Sequence, residues 1–139
     1  METLFTTLHV LSAVLIVGPL AIMPMTALRT LRTGDTTRAA AAARSIRLFS
    51  YLSLITAITG FGVMGMADPR YDLSITTPWV LASLLLYSLA LLVTLTVTVP
   101  AFHHPEEKFR ASRYARATAS SGIATLCLTA VTVLMAWKP

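Results

Sequence analysis

The sequence predicts an all-α fold, a transmembrane four-helix bundle with both termini outside the cell. Three observations carry that prediction. Charged residues make up only 12% of the 139 and mean hydropathy is +0.72, whereas a soluble domain carries about 25% charged residues. Four apolar runs are each long enough to cross a hydrocarbon core, which takes about 20 residues. Nine of the eleven Lys and Arg residues fall in two of the connections between those runs. The composition excludes a disordered chain, a coiled coil and most soluble enzymes. Cys127 is the single cysteine, which excludes an intramolecular disulfide and any multi-thiolate metal site.

The runs are taken in order as one integral membrane domain, residues 1–139. The first covers residues 4–28. It has no basic region ahead of it, it is long, and Glu2 has the wrong sign for a secretory leader, so it reads as a span that is kept. Gly18-Pro19 and Pro24 interrupt it, and proline frees carbonyls and kinks a membrane helix. Gly34-Asp35-Thr36-Thr37 breaks the chain, and Ala39 to Ala43 should be helical and run into the second span, residues 46–67. The third span, residues 79–102, starts behind Thr77 as cap and Pro78 as first helical residue. Pro105-Glu106-Glu107 looks like another helix start, leading to the fourth span at residues 118–137.

Charge sets the orientation. Arg29, Arg32, Arg38, Arg44 and Arg47 lie between runs one and two, and Lys108, Arg110, Arg113 and Arg116 between runs three and four. Only Arg70 and Lys138 fall on the other side. The positive-inside rule then puts both termini outside. Tyr71, Trp79 and Trp137 should mark the outer interface, and Phe49, Tyr51, Phe102, Phe109 and Tyr114 the inner one. The net charge of +5 does not point to nucleic acid, because the basic residues flank apolar runs as membrane anchors do. Arg44, Arg47, Arg110, Arg113 and Arg116 recur at three-residue steps and read as lipid-headgroup contacts. A faint repeat relates Thr56-Ala57-Ile58-Thr59 to Thr129-Ala130-Val131-Thr132, as two parallel hairpins would.

Chemistry has few candidates. No span holds Asp, Glu or Lys, and no Cys-x-x-Cys, Ser–His–Asp or phosphate-loop pattern occurs. Covalent and acid/base catalysis lack their residues. Histidine and methionine remain. His9 lies inside the first span, roughly 7–8 Å below its outer end at 1.5 Å per residue. Met64, Met66 and Met135 fall in the same outer leaflet. An imidazole and a thioether are the axial pair of a low-spin haem, or soft ligands for copper. Gly60, Gly62 and Gly65 strip side chains from the second span, which admits a porphyrin edge or a neighbouring helix. The blander alternative is a hydrogen bond from His9 to Thr56, Thr59 or Thr132. His103 and His104 end the third span and read as exposed turn residues.

The stretch from Leu8-His9 to Gly18-Pro19-Leu20 resembles the first span of several groups of small bacterial integral membrane proteins. It is most similar to a family of predicted four-span proteins of uncharacterised function. It also resembles the HemJ-type protoporphyrinogen oxidases and the copper-resistance CopD-type proteins, which share a Leu-His pair some ten residues before a glycine. The HemJ-type resemblance implies that His9 ligates haem; the CopD-type implies a copper-related role. The chain departs from the HemJ pattern at Val17, at Met25-Thr26-Ala27 and in lacking a membrane lysine.

Together these readings give a haem-b-binding membrane protein of the bacterial inner membrane with a redox or electron-transfer role. Copper is the alternative cofactor. The competing function is a non-catalytic membrane subunit or assembly factor acting through helix contacts. Small residues in spans two and four (Ser53, Ala57, Gly60; Ser121, Gly122, Thr125) suggest a homo-oligomer or a larger membrane complex.

Overall fold

The computed structural model describes residues 2–66, 75–103 and 110–137, all helical apart from short turns and with no strand among them. Helix α1 covers residues 2–33, α2 covers Thr36–Met66, α3 covers residues 78–103 and α4 covers Arg110–Trp137. All four are long and apolar enough to cross a membrane.

Each helix matches one apolar run, and three outrun theirs at the basic end, the first continuing to Thr33. The second starts at Thr36 and the fourth at Arg110, because the polar turns before the hydrocarbon segment keep the same backbone hydrogen-bond ladder. The break between α1 and α2 falls at Gly34, whose φ of 71° is the left-handed conformation that glycine adopts without a Cβ clash. Asp35 then caps α2, accepting the Arg38 amide at 3.1 Å, while the Arg38 guanidinium approaches its other oxygen at 3.4 Å. Pro78 opens α3 as expected, but Thr77 makes no side-chain cap bond to it. The Pro105-Glu106-Glu107 start lies outside the described residues.

Helices α1 and α3 each contain one π-helical turn, Ala13–Val17 and Thr94–Thr98. Both have the same cause. Gly18 and Val99 donate back five residues, to the Ala13 and Thr94 carbonyls, and the next residue is Pro19 or Pro100, which has no N–H to give. The missing bond widens the preceding turn. Pro24, in contrast, sits buried inside regular α-helix.

The helices run up-down-up-down. α2 packs along the whole of α1, α4 packs on the Gly18–Thr33 half of α1, α3 packs against α4, and the Val99–His103 end of α3 closes against α2. Leu28, Ile46, Val99 and Phe102 are buried where α1 and α3 end, the end that carries the basic residues, and Leu20, Ala90 and Leu128 continue the core toward mid-membrane, where α3 packs along α4 over Pro78–Val93. Phe102, expected at the interface, is only 2% exposed and belongs to this core. Small residues bring the helices close: Ala39, Ala43, Ser50 and Ser53 on α2, and Ala117, Ser120, Ser121 and Ala124 on α4. The opposite half also carries exposed apolar side chains. It presents Leu15, Ile58 and Leu85 at 65%, 68% and 63% exposure, a surface suited to lipid and not to water.

Hydroxyls stitch the bundle. Thr98 donates to Ser120 at 2.8 Å between α3 and α4, and Thr125 donates to the Ala21 carbonyl at 2.8 Å between α4 and α1. Ser53 and the Tyr87 hydroxyl are 2.7 Å apart between α2 and α3. Most other Ser and Thr hydroxyls bond back to carbonyls three or four residues earlier, which keeps them satisfied in lipid.

Candidate functional site

His9 sits on the first turns of α1, facing α2. Its Nδ1 lies 2.9 Å from the Thr56 main-chain carbonyl and 3.3 Å from Thr59 Oγ1. A carbonyl oxygen only accepts, so Nδ1 must carry the proton and donate it. In the neutral ring Nε2 is then a bare lone pair. It has no hydrogen-bond partner among the described residues, and the residue is half-buried. Beside it, the Thr56 hydroxyl is buried and makes no hydrogen bond.

Two glycines create the approach. A Cβ on Gly60 would stand 2.9 Å from His9 Cε1, and one on Gly62 would stand 2.6 Å from Phe5 Cδ1. His9 and Phe5, one helical turn apart on α1, therefore seat in notches on α2. Of the two uses expected for these glycines, a neighbouring helix fills the Gly60 and Gly62 notches. Gly65 has nothing within 4 Å of the position its Cβ would take.

The methionines lie at different heights. Met64 is four residues beyond Gly60 on α2, about 6 Å further from the basic end at 1.5 Å per residue; it is half-buried and Met66 is exposed. The Thr125–Ala21 bond sets the register of α4 against α1. Counting back from Ala21 to His9 and on from Thr125 to Met135 puts the two within about 3 Å of the same depth. Their helices do not meet closely there, since α4 packs on the other half of α1. Among the described residues no group of three or more His, Cys, Asp or Glu is placed to hold a metal ion.

The basic residues also separate. Arg44, Arg47 and Arg116 are exposed, while Arg113 is half-buried with one terminal nitrogen fully buried and unbonded. Arg110 opens α4. His103 ends α3, and His104 and Lys108 lie outside the described residues. Four of the six small residues expected to meet another chain are used within this one, while Gly122 has open space beside it. Ser53 reaches Tyr87, Gly60 meets His9, Ser121 is buried and Thr125 bonds α1.

The profile of a family described as predicted integral membrane protein, DUF2269, matches residues 3–139. The chain belongs to the DUF2269 family. No curated protein and no solved structure matches it. The four apolar helices agree with the DUF2269 description, and an integral membrane protein of this kind has the lipid bilayer as its solvent. That description names no cofactor, reaction or partner. The tautomer of His9 and the vacant side of its ring were not legible in sequence. The Gly60-x-Gly62 pair was the available signal, since it marks where a bulky side chain of α1 can be received.

Proposed function

We propose that this membrane protein binds haem b, which His9 would hold through Nε2, and serves a redox or electron-transfer role in the bacterial inner membrane. One observation carries the reading: the imidazole gives its Nδ1 proton to a backbone carbonyl at 2.9 Å and keeps Nε2 free. Ligating histidines are commonly oriented in this way, because the outer hydrogen bond fixes the tautomer and makes the ligating nitrogen more basic. A neutral imidazole that only pins two helices leaves the same nitrogen bare, but a lone pair without a donor in lipid is costly, which a ligand on Nε2 would relieve.

The donor set favours haem over a bare copper ion. A copper ion takes two to four ligands from the protein. The described residues offer one imidazole, with the thioethers of Met64 and Met66 a turn or more away. A porphyrin brings four nitrogens and asks only for one or two axial groups. His9 would supply one, and Met135, at nearly the same depth, is the candidate for the second. When bound, haem would supply one-electron chemistry. The chain's part is to orient the His9 ring through the Thr56 carbonyl.

Titration of the purified protein with haemin in mild detergent tests the reading. One equivalent should saturate the wild type, and His9→Ala should lose that saturable site. Equal binding by both proteins would reject it. Copper taken up in preference to haemin would transfer the His9 role to the copper alternative.

A further inference from the structure

A second feature, independent of His9, lies at the basic end of α2. A groove of about 480 Å³ opens on its outer face, lined by Ala41, Arg44, Ser45, Arg47, Leu48 and Tyr51. We propose that this groove is a binding site for one anionic phospholipid, with the headgroup phosphate held by Arg44 and Arg47.

Charge supports that occupant. Among the described residues the only ion pair is Arg38 with Asp35, so the Arg44 and Arg47 guanidiniums have no acidic partner. The two connections at this end hold nine basic residues against the three acidic ones Asp35, Glu106 and Glu107. An excess of that size attracts a negatively charged leaflet. Arginine also binds phosphate in a bidentate fork that lysine cannot match. Ser45, next to Arg44, and Tyr51, one turn beyond Arg47, supply further hydroxyl donors in the lining.

The order of residues along α2 fits a lipid and not a free anion. α2 runs from the basic end into the apolar slab, so Arg44 and Arg47 come first. Leu48, Tyr51, Ile55 and Ile58 follow on the exposed surface, at 57%, 56%, 47% and 68%. A phosphate at the arginines therefore continues into an acyl chain lying on those side chains. The half-exposed Tyr51 ring sits where aromatic residues mark the membrane interface.

The test is native mass spectrometry of the full chain in mixed micelles. Palmitoyl-oleoyl phosphatidylglycerol and the matching phosphatidylethanolamine are offered at equal amounts. Wild type should retain one phosphatidylglycerol in several-fold preference, and Arg44→Gln/Arg47→Gln should lose most of that preference. Arg38→Gln, outside the groove and already paired with Asp35, should leave it intact. Inorganic phosphate in excess should not displace the lipid. Both arginines are exposed, so the double variant is expected to fold, and an unchanged helical circular dichroism spectrum checks it. Full retention by the double variant would overturn the proposal. So would an equal loss in Arg38→Gln, which would reduce the effect to overall charge, or displacement by phosphate alone.

Discussion

Gly60→Ala should destabilise the bundle while Gly65→Ala stabilises it, although the two sites lie on the same apolar helix. At Gly60 the new Cβ would stand 2.9 Å from His9 Cε1, half an ångström short of the 3.4 Å where ordinary contact begins. The ring cannot simply swing away, because Nδ1 is held at 2.9 Å by the Thr56 carbonyl. Loss of that bond costs about 0.6 kcal/mol, up to about 1.7, by the measured worth of hydrogen bonds between membrane helices. Overpacking adds about 1–3 kcal/mol, and the better helix propensity of alanine returns up to about 1 kcal/mol. The net is a loss of about 1–4 kcal/mol. At Gly65 no atom lies within 4 Å of the new methyl, so only the propensity gain of up to about 1 kcal/mol remains. Gly62→Ala falls between. Its Cβ would approach Phe5 more closely, at 2.6 Å, but the ring carries no hydrogen-bonding atom to hold it against rotation into lipid. Reversible unfolding in mixed micelles, titrated with sodium dodecyl sulfate, measures all three. If Gly60→Ala and Gly65→Ala shifted the midpoint alike, the packing of α1 on α2 through His9 would be wrong.

Three further outcomes follow. Ser53→Ala and Tyr87→Phe should each cost about 0.5–1.5 kcal/mol by loss of the 2.7 Å bond between α2 and α3, and a double-mutant cycle should show them coupled. Gly34→Ala should cost about 1–2 kcal/mol, because φ of 71° crowds a Cβ against the carbonyl, and the same unfolding titration reads it. A reporter fused after Pro139 should be active outside the cytoplasm, as the nine basic residues require; cytoplasmic activity would contradict the orientation.

The four spans were legible because lipid imposes a plain rule: a run near 20 residues without charge must be a helix with all its backbone bonds internal. Ala39 to Ala43 and the break at Gly34 were equally readable, the first from propensity and the second from turn chemistry. Phe102 was not. An aromatic near a span end reads as an interface residue, yet this one faces the core, because α3 packs its end against α2 and buries that side. The π turns were foreshadowed only as proline kinks; widening the preceding turn absorbs the missing N–H without ending the helix. At the candidate site, composition pointed to His9 and to Thr56, Thr59 or Thr132 as its partners; the first two meet it, and Thr132 on α4 bonds the Leu128 carbonyl instead. Which atom of Thr56 would accept, and hence which ring nitrogen stays free, depends on the height of one helix against another, and apolar runs do not encode that height.

The most direct test of the central claim is the visible absorption spectrum of the protein as purified from the membranes that make it, oxidised and then reduced with dithionite. The account predicts a haem b spectrum in the wild type, its loss in His9→Ala, and its retention in His103→Ala. A wild-type spectrum without haem bands, in protein that takes up neither haemin nor copper, would contradict it and leave His9 as a pin between α1 and α2.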